Sequence, residues 1–195
     1  MNILSDLFTI DCIVINSPVR NRAEAFAVAG NLFKSKLGIS SRLVVDCINF
    51  RENLSSTALG SGVAIPHGIV AGIQIPVGCL IKLAEPIDFA APDGDKVTIL
   101  IFLLFPQITT HEHLQILSSL AQHLLDVGIR KTLLSEQCPE KICQLLNLTI
   151  DFSKTLPSQE SESSFNQSIT SRSQGIQNYL EEWEMLQHHS AQNMH

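Results

Sequence analysis

Basic residues are scarce in this chain. Lys and Arg together number 13 against 19 Asp and Glu, which gives a formal net charge of -6 and a pI near 5.6. A surface with this balance lacks the broad positive field by which proteins hold nucleic acid or anionic lipid. We therefore expect neither nucleic acid nor a membrane surface as a direct partner.

Long apolar runs are also absent. The most apolar stretch, residues 97–105, is about half as long as a membrane-spanning helix and is typical of a strand buried on both faces. Residues 1–12 contain no basic segment, sustained apolar run or small-residue cleavage pattern, so no secretory signal is expected. These observations predict a cytoplasmic location without membrane insertion.

The cysteines show no paired CxxC spacing. They form an odd set in apolar or helical contexts, namely Cys12, Cys47, Cys79, Cys138 and Cys143. Such a set predicts reduced thiols rather than a disulfide framework or a zinc site. The histidines His188, His189 and His195 lack the partner spacing of metal ligands. We expect neither a metal nor another cofactor.

Hydrophobic patterning predicts alternating strands and helices. Short β-branched or apolar runs indicate strands at residues 11–16, 63–65, 77–83 and 97–105. Helical spacing of apolar residues, together with capping residues, indicates helices at residues 2–8, from Ser17-Pro18 to Gly38, from Ser40 or Ser41 to about Arg51, from Thr110 to Gly128, and at 129–135 and 139–146.

The composition changes after residue 148. Residues 151–173 are rich in Ser, Gln and Glu and contain too few apolar residues to offset the entropy of ordering them. Beyond them, apolar residues fall on one helical face: Ile176, Tyr179, Leu180, Trp183 and Leu186. We predict a main domain at residues 1–148, followed at 149–195 by a polar linker and an amphipathic helix.

The most unusual chemistry is concentrated in residues 51–68, RENLSSTALGSGVAIPHG. His67 follows Pro66, which fixes its own φ and favours extended geometry before it, and precedes Gly68. Glycines at 62 and 68 lack the side chains that would keep a partner away from the backbone. We therefore expect the His67 ring to be both fixed in place and accessible.

Four motifs together resemble a known family. They are RENLSST at 51–57, GSGVAIPHG at 60–68, EPIDFAAPDG at 85–94 and EHLQILSSLA at 112–121. In this order, over residues 1–148, they resemble the enzyme IIA domains of the phosphoenolpyruvate-dependent phosphotransferase system, of the fructose, mannitol and nitrogen-regulatory type. The resemblance implies an α/β fold in three layers, with a mixed β-sheet flanked by helices on both faces.

The resemblance also implies a phosphoryl relay. A histidine phosphocarrier protein would transfer a phosphoryl group to His67, with Arg51 and His113 beside it. A neutral imidazole nitrogen is a usable nucleophile near pH 7. A guanidinium and a second imidazole can stabilise the charge on the phosphoryl oxygens. No metal or cofactor is required at such an acceptor.

Each of these residues also has an ordinary structural interpretation. His67 could be a turn residue beside Pro and Gly, and Arg51 could only bind the last carbonyls of its helix. His113 could be an ordinary first-turn residue, and His111 competes for the same role, although only His113 fits the EHL motif. His123 is interpreted as a solvated or capping residue.

Among the family's branches we expect the nitrogen-regulatory one, because no fused permease or second carrier domain is recognisable. Regulated target proteins would then be partners beside the phosphocarrier. Ser61 departs from the asparagine common in nitrogen-type relatives. The alternatives are a sugar-specific enzyme IIA that serves a separate fructose or mannitol permease component, a non-catalytic interaction module and, more remotely, a response-regulator-like effector domain. These patterns leave the oligomeric state and the role of the tail open.

Overall fold

The computed structural model describes residues 7–107 and 112–149. Within these ranges the chain forms six strands and five helices. The strands are β1 (Phe8–Ser17), β2 (Ala58–Gly60), β3 (Val63–Ala64), β4 (His67–Val70), β5 (Val77–Ile87) and β6 (Val97–Pro106). The helices are α1 (Arg22–Leu37), α2 (Ser41–Leu54), α3 (Glu112–Leu124), α4 (Val127–Ser135) and α5 (Pro139–Thr149).

The strands form one mixed sheet. Its order is β1-β5-β6-β3-β2, and β4 also pairs with β6. Strand β1 runs parallel to β5, and β5 runs antiparallel to β6. Strands β3 and β4 both run parallel to β6, beside successive parts of it, while β2 runs antiparallel to β3. The long central strands β5 and β6 are largely buried on both faces, as their near-continuous apolar sequences require.

One face of the sheet is covered by α1 and α2. Helix α1 packs against β5, and α2 packs against β4. The aromatic centre of this layer is Phe26 on α1, whose ring meets Phe89 and Phe102 edge-on at centroid distances of 6.1 and 5.8 Å. Because side chains alternate along a strand, Phe102 and its neighbours two residues away on β6 point into this layer.

The opposite face is covered by α3, α4 and α5. On α3, the His113 ring lies against Phe105 of β6, with centroids 5.7 Å apart. On α5, the Asn147 amide bonds both the N–H and the carbonyl of Phe8 in β1. The expectation of a mixed sheet flanked by helices on both faces is therefore confirmed.

Helix α1 begins later than the sequence analysis predicts. Ser17 is the last residue of β1 and pairs with Leu83, so it caps no helix. The N-cap is Asn21, whose side chain accepts from Glu24 N at 2.9 Å, while the Glu24 carboxylate accepts from Arg20 N at 2.8 Å. The Asn21 amide also donates to the Glu24 carboxylate at 2.9 Å, and this reciprocal pairing of a cap residue with a glutamate three positions on starts the helix at residue 22. Its predicted end at Gly38 is confirmed, with a left-handed φ of 71°.

Three further expectations need correction. Gly128 does not end α3, because Asp126 accepts from Ile129 N and starts α4 two residues after Leu124. Strands β2 and β4 were not predicted, because three or four residues show no usable periodicity. Phe8 begins β1 rather than ending a helix. The described residues do not include the rest of that N-terminal helix, the predicted helix start at Thr110, His111 or the tail after residue 149. The domain boundary at residue 148 stays a prediction.

A buried lysine connects the sheet to α4. Lys82 of β5 is only 3% exposed. Its ammonium group donates to the carbonyl oxygens of Leu133 and Leu134, at 3.3 and 3.1 Å, and to that of Glu136. These carbonyls belong to the C-terminal end of α4, where a cation is favoured by the helix dipole. One side chain therefore satisfies the last turn of α4 and attaches it to the sheet.

Replacing this lysine should destabilise the fold. We expect Lys82→Met to lower the free energy of unfolding by about 2 kcal/mol, since charge-assisted hydrogen bonds are lost and carbonyl groups stay buried. Urea denaturation measures the loss. Lys131→Met, the same substitution at an exposed position of α4, is the matched control and should change stability by less than about 0.5 kcal/mol. Equal losses in the two variants would contradict the role assigned to Lys82.

Candidate functional site

His67 lies at an interruption in the sheet. Pro66 has no N–H to donate to the ladder, so the chain beside β6 breaks into β3 and β4 at this point. The backbone remains paired around the break, because Leu103 N bonds Pro66 O at 3.0 Å and Ile65 N bonds Thr57 O at 3.1 Å. His67 is therefore the first residue of β4, on a backbone held from both sides.

Two hydrogen bonds define the state of the His67 ring. Its Nδ1 lies 2.9 Å from the carbonyl oxygen of Ile65. Because a carbonyl can only accept, Nδ1 carries the proton, and Nε2 keeps a lone pair. Arg51 Nε donates to this Nε2 at 3.1 Å. The ring is a neutral imidazole of one tautomer, with its basic nitrogen turned to the guanidinium.

The surroundings favour the neutral ring strongly. Burial and then the Arg51 charge lower the pKa of His67 from 6.5 to about 3, with a smaller contribution in the same direction from His113 and an opposing one from the Ile65 carbonyl. A ring with this pKa carries no charge at neutral pH. Its nucleophilic lone pair is therefore available without prior loss of a proton.

Arg51 lies in the last turn of α2, as the sequence analysis predicts. Its Nη1 donates to the carbonyl oxygen of Ser55 at 3.0 Å, just beyond the helix end. The ordinary and the functional interpretation of Arg51 therefore both describe real contacts. One nitrogen of the guanidinium binds the chain end of α2, and another reaches the imidazole.

His113 comes to the site from the opposite layer. It is in the first turn of α3, is 8% exposed, and is close enough to His67 to contribute to the lowering of its pKa. Its contact with Phe105, which pairs with Ile69 two residues after His67, fixes this proximity. The three residues selected from the sequence thus meet at one place. His123 instead bonds Ser119 O within its own helix, at 2.8 Å.

The expectation that His67 is accessible is wrong for this structure. Its exposed fraction is 9%, and the flanking residues Pro66 and Gly68 are buried as well. The sequence signal was misread because Pro and Gly are typical of exposed turns, whereas here they border a buried strand. The ring therefore offers little of its surface to another molecule in this structure.

Gly68 allows α2 to approach β4 very closely. A Cβ atom built on Gly68 would lie 2.7 Å from Cys47 Sγ and 3.1 Å from the Cys47 carbonyl carbon. The Cys47 thiol is held by its hydrogen bond to Val44 O at 3.1 Å, and burial raises its pKa to about 12, so it stays protonated. Since Arg51 is one turn further along α2, the absence of a side chain at residue 68 sets how near the guanidinium comes to His67.

The glycine-rich turn before β3 has a structural role. Gly60, Ser61 and Gly62 all have left-handed φ values, of 88°, 52° and 79°. Ser61 N donates to the Asp93 carboxylate at 2.6 Å. Accepting this bond lowers the pKa of Asp93. Asp93 was not selected from the sequence, although it lies within the EPIDFAAPDG motif, where a bond from Gly94 N to Ala91 O closes a turn.

Several other partners of the site were also missed. They are the carbonyls of Ser55 and Ile65, and the side chains of Cys47, Glu52 and Thr57. Backbone carbonyls leave no signal in a sequence. The acidic residue within REN was a visible signal for Glu52, but its burial depends on the tertiary structure.

Other chemistry in the described ranges is limited. No group of three or more His, Cys, Asp or Glu side chains in residues 7–107 and 112–149 could hold a metal ion. All five cysteines are free thiols, as expected. None of the helices in this part of the chain combines the length and the apolar character that crossing a bilayer requires.

Comparisons with known proteins identify the family. Residues 6–148 match the model described as "Phosphoenolpyruvate-dependent sugar phosphotransferase system, EIIA 2". The "Nitrogen regulatory protein" of Klebsiella oxytoca is 33% identical over 144 residues, which cover 73% of this chain and 89% of that protein. The crystal structure of "Nitrogen Regulatory Protein IIA-Ntr" from Neisseria meningitidis is similar with a TM-score of 0.71 at 36% identity, covering 74% of this chain and 99% of the other.

A further solved structure shows the same fold at lower identity. It is the complex of enzyme IIAMTL and phosphorylated enzyme IIBMTL from Escherichia coli, with a TM-score of 0.60 at 20% identity over 71% of this chain and 96% of the other. The fold is thus that of phosphotransferase-system IIA proteins. The chain belongs to the enzyme IIA type 2 family of the phosphoenolpyruvate-dependent phosphotransferase system, as its motifs suggested.

Filling the space at Gly68 should disturb both stability and the site. We expect Gly68→Ala to lower the free energy of unfolding by about 1–3 kcal/mol, because the new methyl group overlaps Cys47. Cys47→Ala removes the sulfur at 2.7 Å, so Gly68→Ala should be less costly in that background. Urea denaturation of the two single variants and the double variant measures the coupling. Strictly additive losses would show that the two residues do not compete for one space.

The low pKa of His67 should make stability depend on acid pH. Below pH 6.5 the unfolded chain protonates this histidine, whereas the folded chain keeps it neutral down to about pH 3. Unfolding therefore takes up a proton, and the free energy of unfolding falls as the pH falls through this window. Relative to His67→Gln, the free energy of unfolding of the wild type should fall by up to about 1.4 kcal/mol for each pH unit of acidification between pH 6 and 4. Parallel pH profiles would contradict the assigned pKa.

Proposed function

We propose that this protein is a phosphohistidine relay of the phosphotransferase system, which accepts a phosphoryl group on His67 from a histidine phosphocarrier protein and regulates partner proteins according to its phosphorylation state. The observation that carries the proposal is the fixed tautomer of His67. The Ile65 carbonyl holds the proton on Nδ1, and the lone pair of Nε2 points to Arg51.

The transfer step follows from this geometry. The Nε2 lone pair attacks the phosphorus atom of the donor's phosphohistidine and forms a new N–P bond. The N–P bond to the donor breaks, and its electron pair returns to the donor nitrogen. The proton on Nδ1 stays in place and continues to donate to the Ile65 carbonyl, which stabilises the positive charge that the ring gains.

Arg51 has two successive roles in this step. In the resting site Arg51 Nε–H donates to the lone pair of His67 Nε2, the pair that must attack, and the two nitrogens are 3.1 Å apart. This hydrogen bond has to break as the phosphorus atom arrives, and the guanidinium can then donate to the phosphoryl oxygens. His113, from the other side, is the second group able to bind these oxygens. A cation already beside Nε2 needs little reorganisation to stabilise the transferred charge.

The regulatory branch is favoured over sugar transport. The similarity to nitrogen regulatory proteins extends over about three quarters of this chain, at 33% and 36% identity. Phosphorylation would add up to about two negative charges at a ring that is now uncharged. Such a change can alter which protein surfaces bind there, so a target protein could distinguish the two states. A IIB component is the partner of the E. coli IIAMTL complex, and an outgoing phosphoryl acceptor of this kind remains compatible with the same site.

The relay is tested by reconstitution with phosphoenolpyruvate, the first enzyme of the system and a histidine phosphocarrier. We expect acid-labile, base-stable phosphate on the wild type and none on His67→Gln. His123→Gln, the same substitution elsewhere on the chain, should label normally. Arg51→Met and His113→Gln should label at least about tenfold more slowly, and Arg42→Met, on the exposed side of α2, should not. Undiminished labelling of His67→Gln would refute His67 as the acceptor.

A further inference from the structure

We infer that Glu52, acting through Thr57, is a positioning residue for the reaction proposed above, because it fixes the segment that orients both Arg51 and His67. The inference rests on the proposed function for its catalytic meaning. Its structural content, the dependence of the His67 ring on a buried carboxylate, can be measured independently.

Glu52 is buried behind the site. It follows Arg51 in α2, is 5% exposed, and turns its carboxylate to the segment after the helix. There one oxygen accepts from Thr57 N at 3.0 Å and the other accepts from Thr57 Oγ1 at 2.5 Å. Both oxygens of the carboxylate are thus used on one residue, which is itself 7% exposed. These two hydrogen bonds, referred to below as the clamp, hold Thr57 through its backbone N–H and its hydroxyl.

The clamped segment contacts Arg51 directly. The carbonyl oxygen of Ser55, two residues before Thr57, accepts from Arg51 Nη1 at 3.0 Å. Ser56, between them, is held as well, because its hydroxyl donates to Phe89 O at 2.9 Å. A segment fixed at residues 56 and 57 keeps the Ser55 carbonyl in one direction. The guanidinium is thereby oriented with its Nε towards His67.

The same segment also controls the tautomer of His67. The carbonyl oxygen of Thr57 accepts from Ile65 N at 3.1 Å. The carbonyl of Ile65, on the same residue, is the group that binds His67 Nδ1. The position of Thr57 therefore sets the position of Ile65, and through it the nitrogen of His67 that carries the proton. Both partners of the imidazole depend on one residue that Glu52 holds.

A carboxylate suits this position better than its amide. Thr57 presents two donors, an N–H and an O–H, and a glutamate offers two acceptors. A glutamine would turn one NH2 group towards a donor, so one contact would be lost and the segment would shift. Arg22 Nη1 lies 3.9 Å from the Glu52 carboxylate on the solvent side, and this ion pair would also be lost with glutamine. A purely structural role would lower stability without changing the state of His67.

The test compares matched pairs of variants. Glu52→Gln and Thr57→Val each break one of the two hydrogen bonds of the clamp, whereas Thr57→Ser keeps the hydroxyl and should behave as wild type. Glu24→Gln is the control for the first change, since Glu24 accepts only local hydrogen bonds at the start of α1. Thr132→Val is the control for the second, since the Thr132 hydroxyl bonds only within α4.

Two readouts are used for each variant. The first is the rate of phosphoryl transfer from the phosphocarrier at saturating and at low carrier concentration. The second is the pair of ¹⁵N chemical shifts of the His67 ring, which report which nitrogen is protonated. We expect Glu52→Gln and Thr57→Val to slow the saturated rate by about tenfold or more, because a displacement on the order of 1 Å at a reacting group costs about a hundredfold. The two ¹⁵N shifts should also move towards each other as the second tautomer becomes populated.

The outcomes separate the inference from the proposed function. If the wild type takes no phosphoryl group on His67, the relay fails, and the ¹⁵N shifts still decide whether Glu52 positions the ring. If the wild type is labelled and the clamp variants match Glu24→Gln and Thr132→Val in both readouts, the inference is overturned. If Glu52→Gln does not fold, the comparison of Thr57→Val with Thr57→Ser decides in its place.

Discussion

The hydrogen bond between His67 Nδ1 and the Ile65 carbonyl is the contact on which the chemistry of this site depends. It bridges a residue with no N–H, Pro66, so it occurs where the regular ladder of the sheet is broken. The break frees a carbonyl to turn towards an imidazole instead of a neighbouring strand. This backbone carbonyl selects the tautomer of the ring, while burial and the Arg51 charge keep the ring neutral.

Helix α2 supplies the remaining constraints from its last two turns. Arg51 and Glu52 are adjacent, and successive helical residues point about 100° apart. The two charged side chains therefore bind different groups: Arg51 donates to the His67 imidazole, and Glu52 accepts from Thr57. The cation beside His67 is thus not neutralised by its sequence neighbour. Cys47, one turn earlier, meets Gly68 and fixes the separation between this helix and β4.

The sequence was informative about what is periodic or chemically distinctive. The long strands β5 and β6 and the two-helix layer were predictable because their apolar residues recur at strand or helix spacing. Arg51, His67 and His113 were selected through motifs, and the structure brings all three together. The short strands β2 and β4, the late start of α1 and the burial of His67 were not predictable. Each depends on tertiary contacts, such as pairing with β6 or the competition between Ser17 in a strand and Asn21 as a cap.

The burial of His67 would also affect the lifetime of a phosphoryl group bound to it. With 9% of its surface exposed, the ring leaves little room for a water molecule to line up behind a phosphorus atom bonded to Nε2. A phosphorylated site of this shape would lose its charge slowly by spontaneous hydrolysis. Under the proposed relay, encounters with acceptor proteins would then decide how long the modified state persists, and a small domain would store a signal between them.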